Sequence, residues 1–162
     1  MMTATRNQTK VTTPAERQIR IERVFDAPRD RVWRAFTDPE QVAQWWGGDR
    51  GRLVIERMEV ARGGHWRYVE HMPNGTSEGF EGRYRDVAPP ERMVRTFEWD
   101  GMPGHVMVET MTLEDLGDGR TRLVTTTLFH TNEERDGMIQ SGMEQGVNQS
   151  YAALDALLAR EA

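Results

Sequence analysis

Residues 65–84 read HWRYVEHMPNGTSEGFEGRY, and the turn in the middle of that stretch decides the fold. Pro73-Asn74-Gly75 suits a three-residue hairpin loop, a type I turn followed by a left-handed residue and a bulge. Met72 then pairs with Thr76, which sets Tyr68 opposite Phe80 and Trp66 opposite Gly82. Side chains alternate with period two along a strand, so this register predicts Trp66, Tyr68, Phe80 and Tyr84 on one face of a sheet. A two-residue loop would reverse the parity and part these rings. A large ring lying over a glycine of the partner strand is itself a stabilising arrangement.

Working outward, short β-rich runs continue from Arg52 to His130. They are separated by turn clusters at Arg62-Gly63-Gly64, Ala88-Pro89-Pro90, Asp100 to Gly104 and Gly117-Asp118-Gly119. Strands joined by such short turns are antiparallel neighbours. Six strands form this meander. A further strand precedes it, Gln18 to Phe25, with Ile19, Ile21 and Phe25 on one face. Between the two lie helix signals: Pro28 near a first helical position with Val32, Ala35 and Phe36 at helical spacing, then Asp38 as the cap of a second short helix ending at Trp45 and Trp46. Thr131-Asn132-Glu133-Glu134 resembles a capping box and opens what reads as one long C-terminal helix. Its apolar stripe is Ile139, Met143, Val147, Tyr151, Leu154 and Leu158; a second, mostly small row runs Met138, Gly142, Gly146, Ser150, Ala153. Glycine inside a helix costs about 1 kcal/mol relative to alanine. Two readings offset that cost: close packing of helix on sheet, or volume left between them for a ligand.

The expected architecture is therefore α+β: a curved antiparallel sheet of about six or seven strands around a long C-terminal helix, with two short helices after the first strand. Residues 1–16 read as a flexible arm and residues 17–162 as one domain. A chain of 162 residues buries roughly 70% of its extended surface on folding, enough for a core that also contains a pocket.

Composition excludes much chemistry. The formal net charge is -5, which gives no electrostatic footprint for nucleic acid or an anionic membrane. Lys10 is the sole lysine and lies in the arm, so Schiff-base chemistry and a phosphate-loop lysine have no residue in the domain. The absence of cysteine removes disulfides, thiol nucleophiles and Cys-held metals, and fits a reducing compartment. With no apolar run of ~18 residues and no secretion signal at the start, the reading is cytoplasmic.

Four histidines, His65, His71, His105 and His130, have no metal-ligand spacing; His65 and His71 share a strand face but stand roughly 20 Å apart. None of Ser77, Ser141 and Ser150 sits in a nucleophile elbow. No metal, cofactor or catalytic residue is assigned. Glu70 and Glu78 approach each other in the hairpin register, where like charges would raise one pKa; the hairpin end reads as a wet rim. Glu109, between Met107 and Met111, would need a partner if that face is inward. What remains is aromatic and methionine content on one sheet face and along the helix, which suits a soft, adaptable pocket wall.

Several motifs resemble the START-like, helix-grip superfamily (SRPBCC), and within it the homologues of the activator of heat-shock-protein-90 ATPase. They are Arg23-Val24-Phe25-Asp26-Ala27-Pro28 with Val32-Trp33, Thr37-Asp38-Pro39-Glu40 through Trp45-Trp46, and Gly63 through Tyr68. Later matches are Pro89 through Val94, Gly119 through Leu123, and Gly142-Met143-Glu144-Gln145-Gly146. Many relatives carry Trp where Val147 stands, so the shorter side chain would enlarge or reshape a cavity there. The resemblance implies a sheet wrapped around the C-terminal helix with a cavity between, in a superfamily of lipid and hormone binders and polyketide cyclases that shares no common catalytic set.

The leading expectation is a bacterial-type protein that binds a small hydrophobic or amphipathic molecule. Its lining would be Trp46, Trp66, Tyr68, Phe80, Phe97, Trp99, Met107, Met111, Met143, Val147 and Tyr151, with Glu109 or Arg95 as orienting groups. Two alternatives stay open: a co-chaperone partnering a heat-shock-protein-90 type ATPase, and a cavity enzyme of the cyclase/dehydratase type, which requires a buried carboxylate of raised pKa. A homodimer is also left open.

Overall fold

Alternation is realised in the strand Gln18–Phe25, where Ile19, Ile21, Arg23 and Phe25 turn inward and are buried while their neighbours are half-exposed. This strand is the second of eight in the computed structural model, which describes residues 8–160. The strands are β1 (Lys10–Thr12), β2 (Gln18–Phe25), β3 (Arg52–Met58), β4 (His65–His71), β5 (Ser77–Ala88), β6 (Arg92–Trp99), β7 (Met107–Asp115) and β8 (Thr121–Leu128). All neighbours are antiparallel, in the order β1-β2-β8-β7-β6-β5-β4-β3. The six-strand meander is as expected. The extra strand is Lys10–Thr12, read from sequence as part of a loose arm; it pairs with β2 in the register Lys10↔Glu22. Three residues carry too little alternation to signal a strand, and only the exposed edge of β2 selects that conformation. The first seven residues of the expected arm lie outside the described residues.

The hairpin register holds. Met72 N–H donates to the Thr76 carbonyl at 2.8 Å, Gly75 takes a φ of 90°, and Tyr68↔Phe80 and Trp66↔Gly82 are cross-strand pairs. The glycine has a purpose beyond the turn. The Trp66 indole crosses over Gly82 and donates its N–H to the Thr96 carbonyl of β6 at 3.1 Å, so one ring bridges three strands. A Cβ on Gly82 would overlap that carbonyl oxygen and stand 2.8 Å from the indole nitrogen. Register shifts between Ile55 and Arg57 and between Tyr84 and Asp86 bend the sheet into a concave surface.

Two short helices follow β2, α1 (Arg29–Thr37) and α2 (Pro39–Trp45). The Asp38 carboxylate accepts the Glu40 N–H at 3.0 Å and the Gln41 side chain at 3.1 Å, as a cap should. The Trp45 indole N–H donates to the Ala35 carbonyl at 2.8 Å, fastening the two helices together.

The C-terminal helix differs from expectation: it is two helices, α3 (Asn132–Gln140) and α4 (Met143–Arg160). The Thr131/Glu134 capping box opens α3 as read. The break comes at Gly142, whose φ of 87° leaves the helical region, a conformation glycine adopts without steric cost. Ile139, placed in the long stripe, is consequently 40% exposed. Helix α4 is itself divided. Tyr151, Leu154, Leu157 and Leu158 are buried, but no residue from Met143 to Ser150 is. The buried half packs on Phe25, Val32 and Leu123 of a dry core, and Asp155 receives two hydrogen bonds from the buried Arg23 of β2 at 2.8 and 2.6 Å.

Replacing Gly82 by alanine is expected to lower stability by about 2–3 kcal/mol, because the new methyl group must displace backbone of β6 or the Trp66 ring. Urea unfolding of Gly82→Ala against the parent chain measures this.

Candidate functional site

The N-terminal half of α4 carries no buried side chain, and between it, α3 and the concave face of the sheet lies a cavity of about 1150 Å³. That space opens to the surface and is not sealed off from water. The space must therefore hold solvent or a ligand.

Register explains the floor. Phe80 opposes Trp99 across β5 and β6, and Phe97, Arg95 and Met93 oppose Met107, Glu109 and Met111 across β6 and β7. All of these point to the same side. Trp46, just past α2, packs edge-on against Tyr68 and Phe80 at centroid separations of 5.4 and 5.0 Å, and Phe80 meets Phe97 at 5.6 Å. Tyr151 closes the end nearest the dry core, edge-on to Phe25 at 5.3 Å. Burial pushes the Tyr151 hydroxyl pKa up, so it stays protonated at neutral pH.

Glu109, expected to need a partner, has one. The Arg95 Nε donates to it at 2.9 Å, and Arg95 Nη1 donates to the Tyr68 hydroxyl at 3.1 Å. The guanidinium lies 4.0 Å above the Trp66 ring. Burial works against the Arg95 charge, but Tyr68, Glu109 and Tyr84 around it outweigh that and hold it protonated.

Of the residues expected as lining, Trp46, Tyr68, Phe80, Arg95, Phe97, Trp99, Met107, Glu109, Met111, Met143, Val147 and Tyr151 all meet around the cavity. Trp66 does not. Its ring is fully buried beneath Arg95, and the pattern that placed it on the right face could not show that another side chain would cover it.

The Glu70 and Glu78 reading also changes. They are direct cross-strand partners, as the register required, but Glu70 is 2% exposed and does not sit at a wet rim. The chain segment after α2 covers it: Gly47 lies against the carboxylate, and Arg50 Nη2 stands 3.4 Å from Glu70 Oε1. Burial pushes the Glu70 pKa up, Arg50 opposes, and Glu78 adds to the rise. Arg50 was missed because nothing in its local sequence signals a return to the sheet. The same segment reaches α4, where Ser150 Oγ accepts the Gly47 N–H at 2.9 Å.

The small row of α4 lines the cavity through Gly142, Gly146 and Ser150. Around Gly146, the first atom an added Cβ would meet is Arg50 Nη1, at an ordinary 3.6 Å. Close helix-to-sheet packing thus does not account for that glycine; open volume does. Among the described residues no group of histidine and carboxylate side chains is arranged to hold a metal ion, and no helix is long and apolar enough to cross a membrane.

The profile of the family described as activator of Hsp90 ATPase homolog 1-like protein matches residues 26–159. Among solved structures, a Rhodobacter sphaeroides protein is 25% identical with a TM-score of 0.88, covering 94% of this chain and 99% of that one. Protein CV1439 of Chromobacterium violaceum is 30% identical with a TM-score of 0.77, covering 88% of this chain and 96% of that one. DynU16 of the dynemicin biosynthetic locus is 24% identical with a TM-score of 0.67; the likeness covers 90% of this chain but 48% of that one and extends to the fold alone. No curated protein matches the sequence. These likenesses place the chain in the START-like, helix-grip architecture.

Two stability measurements check the site. Gly146→Ala is expected to gain about 0.5–1 kcal/mol in urea unfolding, since the helix benefits and nothing obstructs the methyl group. For Glu70, a folded pKa above its ordinary 4.5 means the native state binds the proton more tightly, so stability is lost as pH rises through the folded value. Glu70→Gln should therefore equal the parent below pH 4.5, gain on it as pH rises from there through the folded pKa, and keep a constant advantage above it, read from unfolding midpoints against pH.

Proposed function

The chain belongs to the family of activator of Hsp90 ATPase homolog 1-like proteins, and from that premise we propose that it is a receptor for a small hydrophobic or amphipathic molecule held between sheet and C-terminal helices. The observation that carries this reading is a large cavity walled by aromatic and methionine side chains, under a helix that keeps glycine where alanine would be more stable. A chain selected for stability alone would close that space, because filling voids is the easiest route to a firmer core. Pockets for small molecules are mostly apolar with a few fixed polar groups, and the Arg95–Glu109–Tyr68 cluster supplies such a group in the middle of the floor.

One observation favours a second reading, a cavity enzyme of the cyclase/dehydratase type. Glu70 is a buried carboxylate of raised pKa in the cavity wall, the kind of group that proton transfer at neutral pH requires.

Val147 lines the cavity from α4 and is not fully buried, so a larger side chain there enters the open space without disturbing packed neighbours. Val147→Trp is expected to weaken binding of N-phenyl-1-naphthylamine, a neutral apolar fluorophore, about tenfold or more while shifting the unfolding midpoint little. Equal affinity of parent and variant in fluorescence titration would count against the cavity as the binding site. Native mass spectrometry of the freshly purified chain, read for a co-purifying small molecule, tests the same reading without a chosen probe.

A further inference from the structure

One end of the cavity narrows the class of ligand. Glu70 and Glu78 face each other directly across β4 and β5, both in the cavity wall, although like charges so placed destabilise a sheet. Glu70 is 2% exposed. The cation beside it is Arg50, 3.4 Å away and 42% exposed, whose Nε is already committed to the Gly47 carbonyl at 2.9 Å. Glu78 accepts the indole N–H of Trp99. Two carboxylates and one guanidinium leave a negative charge unbalanced in this corner.

Two other carboxylates of the cavity are paired. Glu109 has Arg95, and Glu134 has His105 and the Thr131 cap. Glu133 also lines the cavity but from the exposed side of α3, whereas Glu70 and Glu78 adjoin an aromatic row. Two residues along each strand, on the same face, come Tyr68 and Phe80, with Trp99 opposite Phe80 and Trp46 packed above.

We propose that this corner holds the positive head of an amphipathic organic cation, an ammonium or phosphonium carried on an apolar body, with Glu70 and Glu78 as counter-ions and Trp46, Phe80 and Trp99 as ring faces. The assignment deepens the receptor reading and rests on it. A cation seated there adds a second positive charge to the one Arg50 gives the two carboxylates, and ring quadrupoles attract it further once water is displaced. The apolar body lies along the methionine-lined floor toward Met107 and Met111. An anion of equal shape meets repulsion from both carboxylates.

Tetraphenylphosphonium and tetraphenylborate, nearly alike in shape and opposite in charge, test this by titration calorimetry on the full chain. The expected result is phosphonium affinity at least about tenfold above that of the borate, with Glu70→Gln reducing the phosphonium affinity by a similar factor and leaving the borate no weaker. Circular dichroism confirms that the variant is folded, and Glu78→Gln, at the more accessible carboxylate, repeats the comparison. Borate binding as tightly as phosphonium, or phosphonium affinity untouched in both variants, overturns the cation assignment. If that happens while N-phenyl-1-naphthylamine still binds, the cation assignment fails alone; if none of the three probes binds, the receptor reading fails with it.

Discussion

Helix α4 is fastened to the sheet at one end only. At that end Arg23 places two hydrogen bonds on Asp155, and Leu154, Leu157 and Leu158 enter the dry core beside Phe25 and Leu123. Arg23 is itself buried, so removing Asp155 would leave an uncompensated charge, the costly way to break such a pair. Seven residues earlier the helix has no buried side chain at all. The concave sheet curves away beneath it, and the cavity is the consequence: a rigid rod fixed at one end of a bent surface cannot touch the surface along its whole length.

What holds the free end is polar and local. Gly47 and Gly48 bring the segment after α2 against α4, where Gly47 N–H meets the Ser150 hydroxyl and a Cβ on Gly48 would come 3.1 Å from the Gln149 side chain. The same segment buries Glu70 and carries Arg50 over it. Closing the cavity wall and burying the carboxylate are thus one structural event. This is why the polar groups of the cavity divide into a matched set in the middle of the floor, at Arg95 and Glu109, and an unmatched set at the edge. The matched set is fixed by neighbouring strands in register. The unmatched set depends on a loop that crosses from helix to sheet.

Much of this was legible in the sequence because it is short-range. Pro73-Asn74-Gly75 fixed the hairpin parity, and the parity put Trp66, Tyr68, Phe80 and Tyr84 on one side. Asp38 and the Thr131/Glu134 box marked helix starts through side chains that bond within three residues. Other features were not legible. Gly142 reads equally well as a helical residue and as a helix terminator, since a residue with no side chain carries no pattern, and only its φ distinguishes the two. Trp66 has the right parity for the cavity wall, but its exposure depends on where the Arg95 side chain lies. Lys10–Thr12 becomes a strand because β2 offers an open edge, not because its residues demand one.

The amino-acid sequence by itself determined the six-strand meander and the strand before it, the two short helices, the register of the 65–84 hairpin and the excluded chemistries, all of which follow from period, turn type and residue inventory. Only the tertiary structure decided that the space under α4 stays open, that Glu70 is covered, and that Arg95 answers Glu109. Each of those depends on two segments far apart in the chain meeting at a particular distance, and no local pattern encodes a distance between segments that have not yet folded together.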